Sequence, residues 1–224
     1  MQKPFALFDF DGTLCPGDSL IPFCLYAYKR GLCSFGQLLR VGLAGLGYAL
    51  HITDAGTSKQ RALGFLAGKT RSEVARIARD FCREKLIPRL YPQGVEAVRR
   101  CHEQGATVLL VSASPELYLT YLRQALPIDG IIATRMHVNE NDRYTGLMAG
   151  ENCRGVQKPL RLAEYLAAQG DEVDYAASFA YGDSGGDAPM MELCANKMAV
   201  NPRKKLLKRL TGSQGVTVLR WPRA

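Results

Sequence analysis

The sequence has no apolar run near the roughly 20 residues that a helix needs to cross a bilayer. Its N-terminus also lacks the basic-then-apolar pattern of a secretory signal. Candidate catalytic residues begin as early as Asp9, so a cytoplasmic location is expected. Histidine is scarce: His51, His102 and His137 stand alone, and the clusters of histidine and cysteine that zinc prefers are absent. The seven cysteines are odd in number, scattered and without a Cys-x-x-Cys pair. They suit reduced thiols in a cytosolic protein better than a disulfide framework. There is no internal repeat and no low-complexity tract. No aromatic ladder or base-reading chemistry accompanies the basic residues, so the net charge of +8 points away from nucleic acid. That charge fits anionic metabolites or an anionic membrane surface.

What is present is a set of four short segments in a fixed order: Asp9-Phe10-Asp11-Gly12-Thr13, Ser112-Ala113-Ser114, Lys158, and Gly182-Asp183-Ser184-Gly185-Gly186-Asp187. The first follows the apolar run over 4–8, which reads as a short buried strand ended by Gly12. Strand side chains alternate, so if that geometry persists, Asp9 and Asp11 point one way and Phe10 the other. Two carboxylates about 4 Å apart repel by roughly 4 kcal/mol at an effective dielectric near 20, so something positive belongs between them. Asp183 and Asp187, in a glycine-rich turn after a second strand-like run, supply more oxygen ligands. Hard oxygens without histidine or thiolate are what Mg2+ prefers, often beside a substrate phosphate. Each segment alone has an ordinary explanation as a turn, a loop or a solvated helix start; it is their combination that points to phosphoryl chemistry.

On these motifs the chain resembles the haloacid dehalogenase (HAD) superfamily, in the branch that contains phosphoserine phosphatase (HAD subfamily IB). All four superfamily motifs are present, and the resemblance spans most of the chain. It implies a magnesium-dependent phosphomonoester hydrolase in which Asp9 attacks phosphorus and becomes an aspartyl-phosphate. Asp11 would protonate the leaving alcohol and then activate water. By the same resemblance Asp9, Asp183 and the main-chain carbonyl of Asp11 ligate the metal, and Asp187 binds through water or orients the ligands. Lys158, the Ser112 hydroxyl and the loop N–H groups of Ala113, Gly12 and Thr13 would hold the phosphate oxygens. The division of labour is chemically reasonable: a carboxylate nucleophile splits one hard displacement into two easier ones, and one positioned acid/base serves both. Dehalogenase members need no acid at the position of Asp11, so its presence favours phosphate esters.

Between about residue 16 and residue 89 the sequence shows only helical patterns, over 19–29, 34–51, 58–67 and 72–85, each starting at or near a serine that could cap it. After Pro92 helices over 94–104, 115–125, 158–168, 188–194 and 203–211 alternate with strands over 106–111, 130–134, 178–181, 197–200 and 216–219. That alternation predicts an α/β fold, a doubly wound parallel sheet with helices on both faces. A β-hairpin is expected over 136–148. The expected organisation is a HAD-like core of 1–16 and 90–224, with a helical C1 cap of 17–89 inserted after the first strand and closing over the site.

Substrate information belongs in the cap. Asp18 sits where phosphoserine phosphatases carry a glutamate that meets the substrate amino group, and Arg61 is the candidate for a carboxylate. Ser112-Ala113-Ser114 departs from the family's usual Ser-Gly-Gly. The expected substrate is therefore a small phosphomonoester such as phosphoserine or a related compound. A second clue is the segment over 38–50, apolar nearly all round a helix and read first as buried. The sharper alternative is an interfacial helix and a phospholipid phosphomonoester substrate, as in a phosphatidylglycerophosphate phosphatase of the same branch. The basic run Arg203-Lys204-Lys205, Lys208, Arg209, Arg220 and Arg223 reads as a solvated face, or as peripheral membrane contact through the C-terminal helix. A non-catalytic membrane or partner-binding module is the alternative of another class; four aspartates around one point argue against it.

Overall fold

The computed structural model describes residues 2–222; Arg223 of the basic run lies outside them. Strands β1 (Phe5–Phe8), β2 (Thr107–Pro115) and β3 (Gly130–Thr134) are followed by β4 (Met136–Val138), β5 (Tyr144–Met148), β6 (Phe179–Gly182), β7 (Asn196–Val200) and β8 (Val216–Leu219). Six of them make one sheet in the order β3-β2-β1-β6-β7-β8, every pairing parallel. β4 and β5 form the expected antiparallel hairpin. The register sets Phe8 beside Leu110 on one side and Tyr181 on the other.

Alternation then divides the apolar side chains between two layers. Ala6, Phe8, Val108, Leu110 and Tyr181 pack in one core, and Phe5, Leu7, Leu109, Val111 and Ala180 in the other. Phe8 and Tyr181 stack with ring centroids 4.1 Å apart, tying β1 to β6. Because β2 lies on one side of β1 and β6 on the other, the strand order reverses direction at β1. A crevice opens at the carboxyl ends of strands at such a point, and ligands collect there.

Helices α1 (Leu20–Lys29), α2 (Phe35–Ala49), α3 (Ala55–Leu63) and α4 (Arg71–Phe81) all lie between β1 and β2. The remainder, α5 (Pro92–Glu103), α6 (Glu116–Leu119), α7 (Gln157–Gln169), α8 (Ala188–Met191) and α9 (Lys204–Arg209), connect the strands of the large sheet. Serine caps only one of the first four helices. Ser34 forms a capping box with Gln37 at α2, whereas Asp54 caps α3 and Thr70 caps α4 with Glu73. At α1 the cap is Asp18, whose Oδ1 accepts from Leu20 N (2.8 Å) and Ile21 N (3.3 Å). Ser19 makes no cap bond, and Ser58 is buried inside α3.

The reading of the apolar segment over 38–50 as buried is corrected. Only Val41 and Ala44 of α2 are buried, on a narrow face packed against α3 and α1. Phe35, Leu39, Leu43, Leu46 and Leu50 recur at helical spacing on the opposite face, each more than half exposed. No helix among the described residues is long and apolar enough to cross a membrane.

Candidate active site

β1 stops at Phe8, and Asp9 follows at its carboxyl end, its N–H donated to Tyr181 O (3.0 Å). The chain does not continue as a strand to Asp11. It turns, with Gly12 at φ +88°, and the turn is closed by Gly12 N→Cys15 O (2.7 Å) and Thr13 N→Phe10 O (3.2 Å). Glycine is required here twice over: φ is in the left-handed region, and a Cβ would fall on the Asp183 carboxylate. The same two bonds correct one expectation. The N–H groups of Gly12 and Thr13 are donated inside their own turn, not held free for a phosphate. Thr13 instead offers its hydroxyl to Asp9 Oδ2 (3.4 Å).

β6 delivers the second acidic pair. Asp9, Asp183 and Asp187 are all buried, and each offers a carboxylate oxygen within 4.8 Å of the others. Gly182 permits this, since a Cβ there would stand 2.6 Å from that of Asp187. Lys158, at the start of α7 and fully buried, bridges Asp9 Oδ1 (2.7 Å) and Asp187 Oδ1 (2.6 Å). Asp187 Oδ2 accepts from Ser184 N and Oγ, both at 2.8 Å. Among the described residues Asp183 is paired only with Arg203 Nε (2.8 Å), a largely exposed side chain.

The electrostatics follow. Burial, then the neighbouring Asp187 charge, pushes Asp9 up to about 6 against the pull of Lys158. Burial and the Asp9 charge push Asp183 up to about 7. Burial acts on Asp187 too, but Lys158 and Ser184 outweigh it and hold that carboxyl below its usual value. For Lys158 burial opposes the charged form, and its two carboxylate partners prevail, holding the ammonium firmly protonated. Three crowded carboxylates with one internal cation are a hard-oxygen set that fits a divalent ion such as Mg2+.

The carboxyl of Asp11 lies outside this cluster. Its Oδ2 accepts from Ser19 Oγ (3.0 Å) and Ser114 Oγ, while Oδ1 is enclosed and has no partner among the described residues. Burial, then the Asp18 charge, pushes it up to about 7. On the other side Ser112, buried on β2, accepts from Ser114 N (3.1 Å). The carbonyl of Ala113 accepts from Lys59 Nζ and from Thr134 Oγ1 (2.6 Å).

A cavity of about 400 Å³ joins these groups. Its floor includes Asp9, Asp11, Ser112, Ala113, Lys158, Asp183 and Asp187; its far wall includes Asp18, Leu20, Ile21, Tyr48, Lys59 and Ala62 of the helices between β1 and β2. Arg61 is absent from the lining and exposed. Two residues along α3 from Lys59 is about 200° around the helix, so facing Lys59 inward turns Arg61 out. The cation that α3 gives the cavity is Lys59, whose Nζ also meets Asn152 Oδ1 (2.6 Å) and which burial pulls down to about 8. Lys59, Asn152 and Arg154 carry no sequence signal of their own, and Arg203 stands in the sequence only as part of the basic run. Ser114 belongs to the Ser112-Ala113-Ser114 segment and Ser19 to a helix start, but neither is marked there as a partner of Asp11.

The family model described as haloacid dehalogenase-like hydrolase matches residues 6–192. The protein CicA of Caulobacter vibrioides is 34% identical over 194 residues, spanning 85% of this chain and 82% of its own. A histidinol-phosphatase of Neisseria meningitidis serogroup C is 29% identical over 209 residues, 92% of this chain and 94% of its own. Among solved structures, a protein with unknown function from Bordetella pertussis Tohama I superposes with a TM-score of 0.87 at 27% identity, covering 98% and 99% of the two chains. A substrate-bound phosphoserine phosphatase shares the fold at 18% identity (TM-score 0.66; 93% and 91% covered).

Proposed function

The chain belongs to the haloacid dehalogenase-like hydrolases, as a phosphatase-type phosphomonoester hydrolase, and we propose that it works through an aspartyl-phosphate on Asp9 and requires Mg2+. The observation that carries this reading is the meeting of Asp9, Asp183, Asp187 and Lys158 at the strand-order reversal, with Ser112 across the cavity.

Asp9 Oδ2, bonded only weakly to Thr13, is the oxygen free to attack phosphorus; Oδ1 is held by Lys158. The metal would be held by Asp9 and Asp183, with the Asp11 carbonyl and Asp187 in support, and would supply charge neutralisation at the phosphoryl oxygens. Lys158 and the Ser112 hydroxyl hold the remaining oxygens. Asp11 gives its proton to the leaving alcohol and recovers one from the attacking water. The four helices after β1 form a cap (17–89) over the core (1–16 and 90–224) and exclude bulk water.

The substrate side of the cavity favours a phosphorylated amino alcohol. Asp18 uses Oδ1 to cap α1 and leaves Oδ2 for an amino group, while Leu20, Ile21, Tyr48 and Ala62 offer an apolar wall. With Arg61 turned to solvent, the carboxylate partner that phosphoserine needs is missing from its expected place. The histidinol-phosphatase relative acts on a substrate with an amine and an aromatic ring, which matches this lining. The buried, unpaired thiols suit a reducing compartment.

The test is magnesium-dependent phosphate release from histidinol phosphate, phosphoserine, sugar phosphates, nucleotides and phospholipid monoesters, with Asp9→Asn and Asp18→Asn alongside. Turnover concentrated on the amino-alcohol ester, abolished by the first variant and weakened in KM by the second, is expected. Equal turnover of all classes, or an active Asp9→Asn protein, contradicts the reading. The exposed leucine stripe of α2 favours a second reading, phospholipid monoester hydrolysis at an anionic membrane surface. Turnover confined to the phospholipid monoester, with cosedimentation on anionic vesicles, would replace the first with it.

A further inference from the structure

Ten of the sixteen large apolar side chains exposed among the described residues lie between Ile21 and Ile52. Five of them, Phe35, Leu39, Leu43, Leu46 and Leu50, are between 54% and 69% exposed, so the solvated side of α2 carries its largest apolar groups. At about 100° per residue they fall within about 80° of one another round the helix. Leu39, Leu43, Leu46 and Leu50 are separated by 4, 3 and 4 residues, the spacing of a seam between two paired helices. Gly42 stands in the middle of the stripe, and a Cβ there would meet nothing within 4 Å, so a second helix has room to approach closely. Contiguous apolar surface on this scale marks a place where something docks.

Area and charge together choose the occupant. At roughly 130 Å² for a whole leucine or isoleucine side chain and roughly 200 Å² for phenylalanine, the exposed fractions of Phe35, the four leucines and Ile52 amount to roughly 500 Å². That is the apolar share, about 65%, of the roughly 800 Å² that each partner buries in a standard interface between like chains. No aspartate or glutamate occurs from 19 to 53, and the one charged side chain of α2, Arg40, stands about 100° round the helix from the middle of the stripe. Interfaces between like chains are depleted of charge at their centre in this way, so the stripe presents nothing that repels its own copy. A helix that lies in an anionic lipid surface instead carries a polar face rich in lysine and arginine. The face of α2 opposite the stripe has no such face to offer, being packed against α1 and α3 through Val41 and Ala44.

We propose that a second copy of this chain covers the stripe, in a two-fold pair centred on the α2 helix of each copy near Leu43. A two-fold axis sets the same patch of both copies against itself, and a row of leucines is its own complement. Gly45 and Tyr48, on the same helix, line the cavity, so pairing braces that wall from behind. An anionic bilayer, the surface that phospholipid hydrolysis would need, competes for the same stripe and excludes the pair.

The test is the mass of the full chain in solution by sedimentation velocity across the micromolar range, for wild type and Leu43→Asp. Wild type should run at twice the chain mass. Leu43→Asp should dissociate with a Kd weaker by about 10-fold or more, as on losing a central contact, with its helical circular dichroism unchanged. A second measurement does not depend on how that variant folds. All seven native cysteines are buried, so Leu43→Cys adds an exposed thiol, and a residue at the centre of the stripe meets its own copy whether the two helices run parallel or antiparallel. Mild oxidation should link Leu43→Cys chains in pairs and leave Leu160→Cys, at a comparably exposed position on α7, unlinked. A wild-type chain that stays at single mass throughout overturns the proposal. So does a dimer in which Leu43→Cys links no faster than Leu160→Cys, which would place the contact on another face. A monomer that cosediments with phosphatidylglycerol vesicles, and loses that binding in Leu43→Asp, gives the stripe to lipid and overturns it as well.

Discussion

Replacing Lys158 by methionine separates charge from packing at the centre of the site. Methionine keeps most of the volume and the unbranched stem, so a lysine that merely filled space would be replaced at little cost. The structure argues otherwise. Lys158 is 1% exposed, and among the described residues its Nζ is the one buried cation shared by Asp9 and Asp187. Asp187 would keep its two bonds from Ser184, but Asp9 would keep only the 3.4 Å contact from Thr13 among its side-chain partners. Removing one member of a buried ion pair costs about 3–5 kcal/mol. At about 2–4 °C per kcal/mol for a chain of this size, the metal-free melting temperature at pH 7 should fall by about 6–20 °C. As pH falls toward and below about 6 the loss should shrink, because the orphaned carboxyls take up protons. Phosphate release should fall by about 10²–10³-fold or more, as on losing a preorganised donor to a developing anion. Calorimetry without metal, paired with a phosphate-release assay, reads both quantities. A Lys158→Met protein that melts within a degree or two of wild type, or turns over within a few-fold of it, refutes the reasoning.

Two further outcomes follow from the same geometry. Asp9, Asp183 and Asp11 are raised to about 6, 7 and 7 from 3.8, so the folded metal-free protein holds protons that the unfolded chain releases. That stability is fully present below about pH 4 and is lost as pH rises through about 6 to 7, by about 1.4 kcal/mol per pH unit for each proton. Asp187, held low, acts in the opposite sense, its contribution being lost as pH falls through its lowered folded value. Mg2+ competes with the protons on Asp9 and Asp183, so the rise in melting temperature on adding it should grow between pH 5 and pH 8; a pH-independent rise contradicts this. Gly12→Ala forces a left-handed conformation and places a methyl on Asp183. It should cost at least about 1–2 kcal/mol and most of the activity, and a variant matching wild type in melting and turnover would show that the turn relaxes.

The parallel sheet was legible because both of its layers are written in the strands: Phe5-Ala6-Leu7-Phe8 and Val108 to Val111 are apolar without interruption, as buried parallel strands must be. The acidic groups were legible because two aspartate-and-glycine segments, each after a strand-like run, occur with Ser112 and Lys158 in one chain, and the combination has no ordinary explanation as separate turns. Three features were not. Which side of α3 faces the cavity is set by packing, which buries Ser58, Lys59, Ala62 and Leu63 and leaves Arg61 outside, whereas the resemblance alone pointed to Arg61. Gly12 and Thr13 look like phosphate-loop residues until their N–H groups are seen closing the turn. The leucines of α2 look like core because burial is the usual fate of such a helix; only the packing of its Val41–Ala44 face shows them to be surface. In each case the local sequence leaves two faces or two partners open, and contacts distant in the chain decide between them.

The central claim is that Asp9 carries the phosphoryl group between ester and water. Rapid acid quenching during steady turnover, followed by mass spectrometry of the peptides, tests it directly. The account predicts a phosphoryl group on the peptide containing Asp9, enriched when Asp11→Asn slows its release and absent in Asp9→Asn. Full turnover with no phosphorylated aspartate at any quench time in wild type or in Asp11→Asn would contradict it.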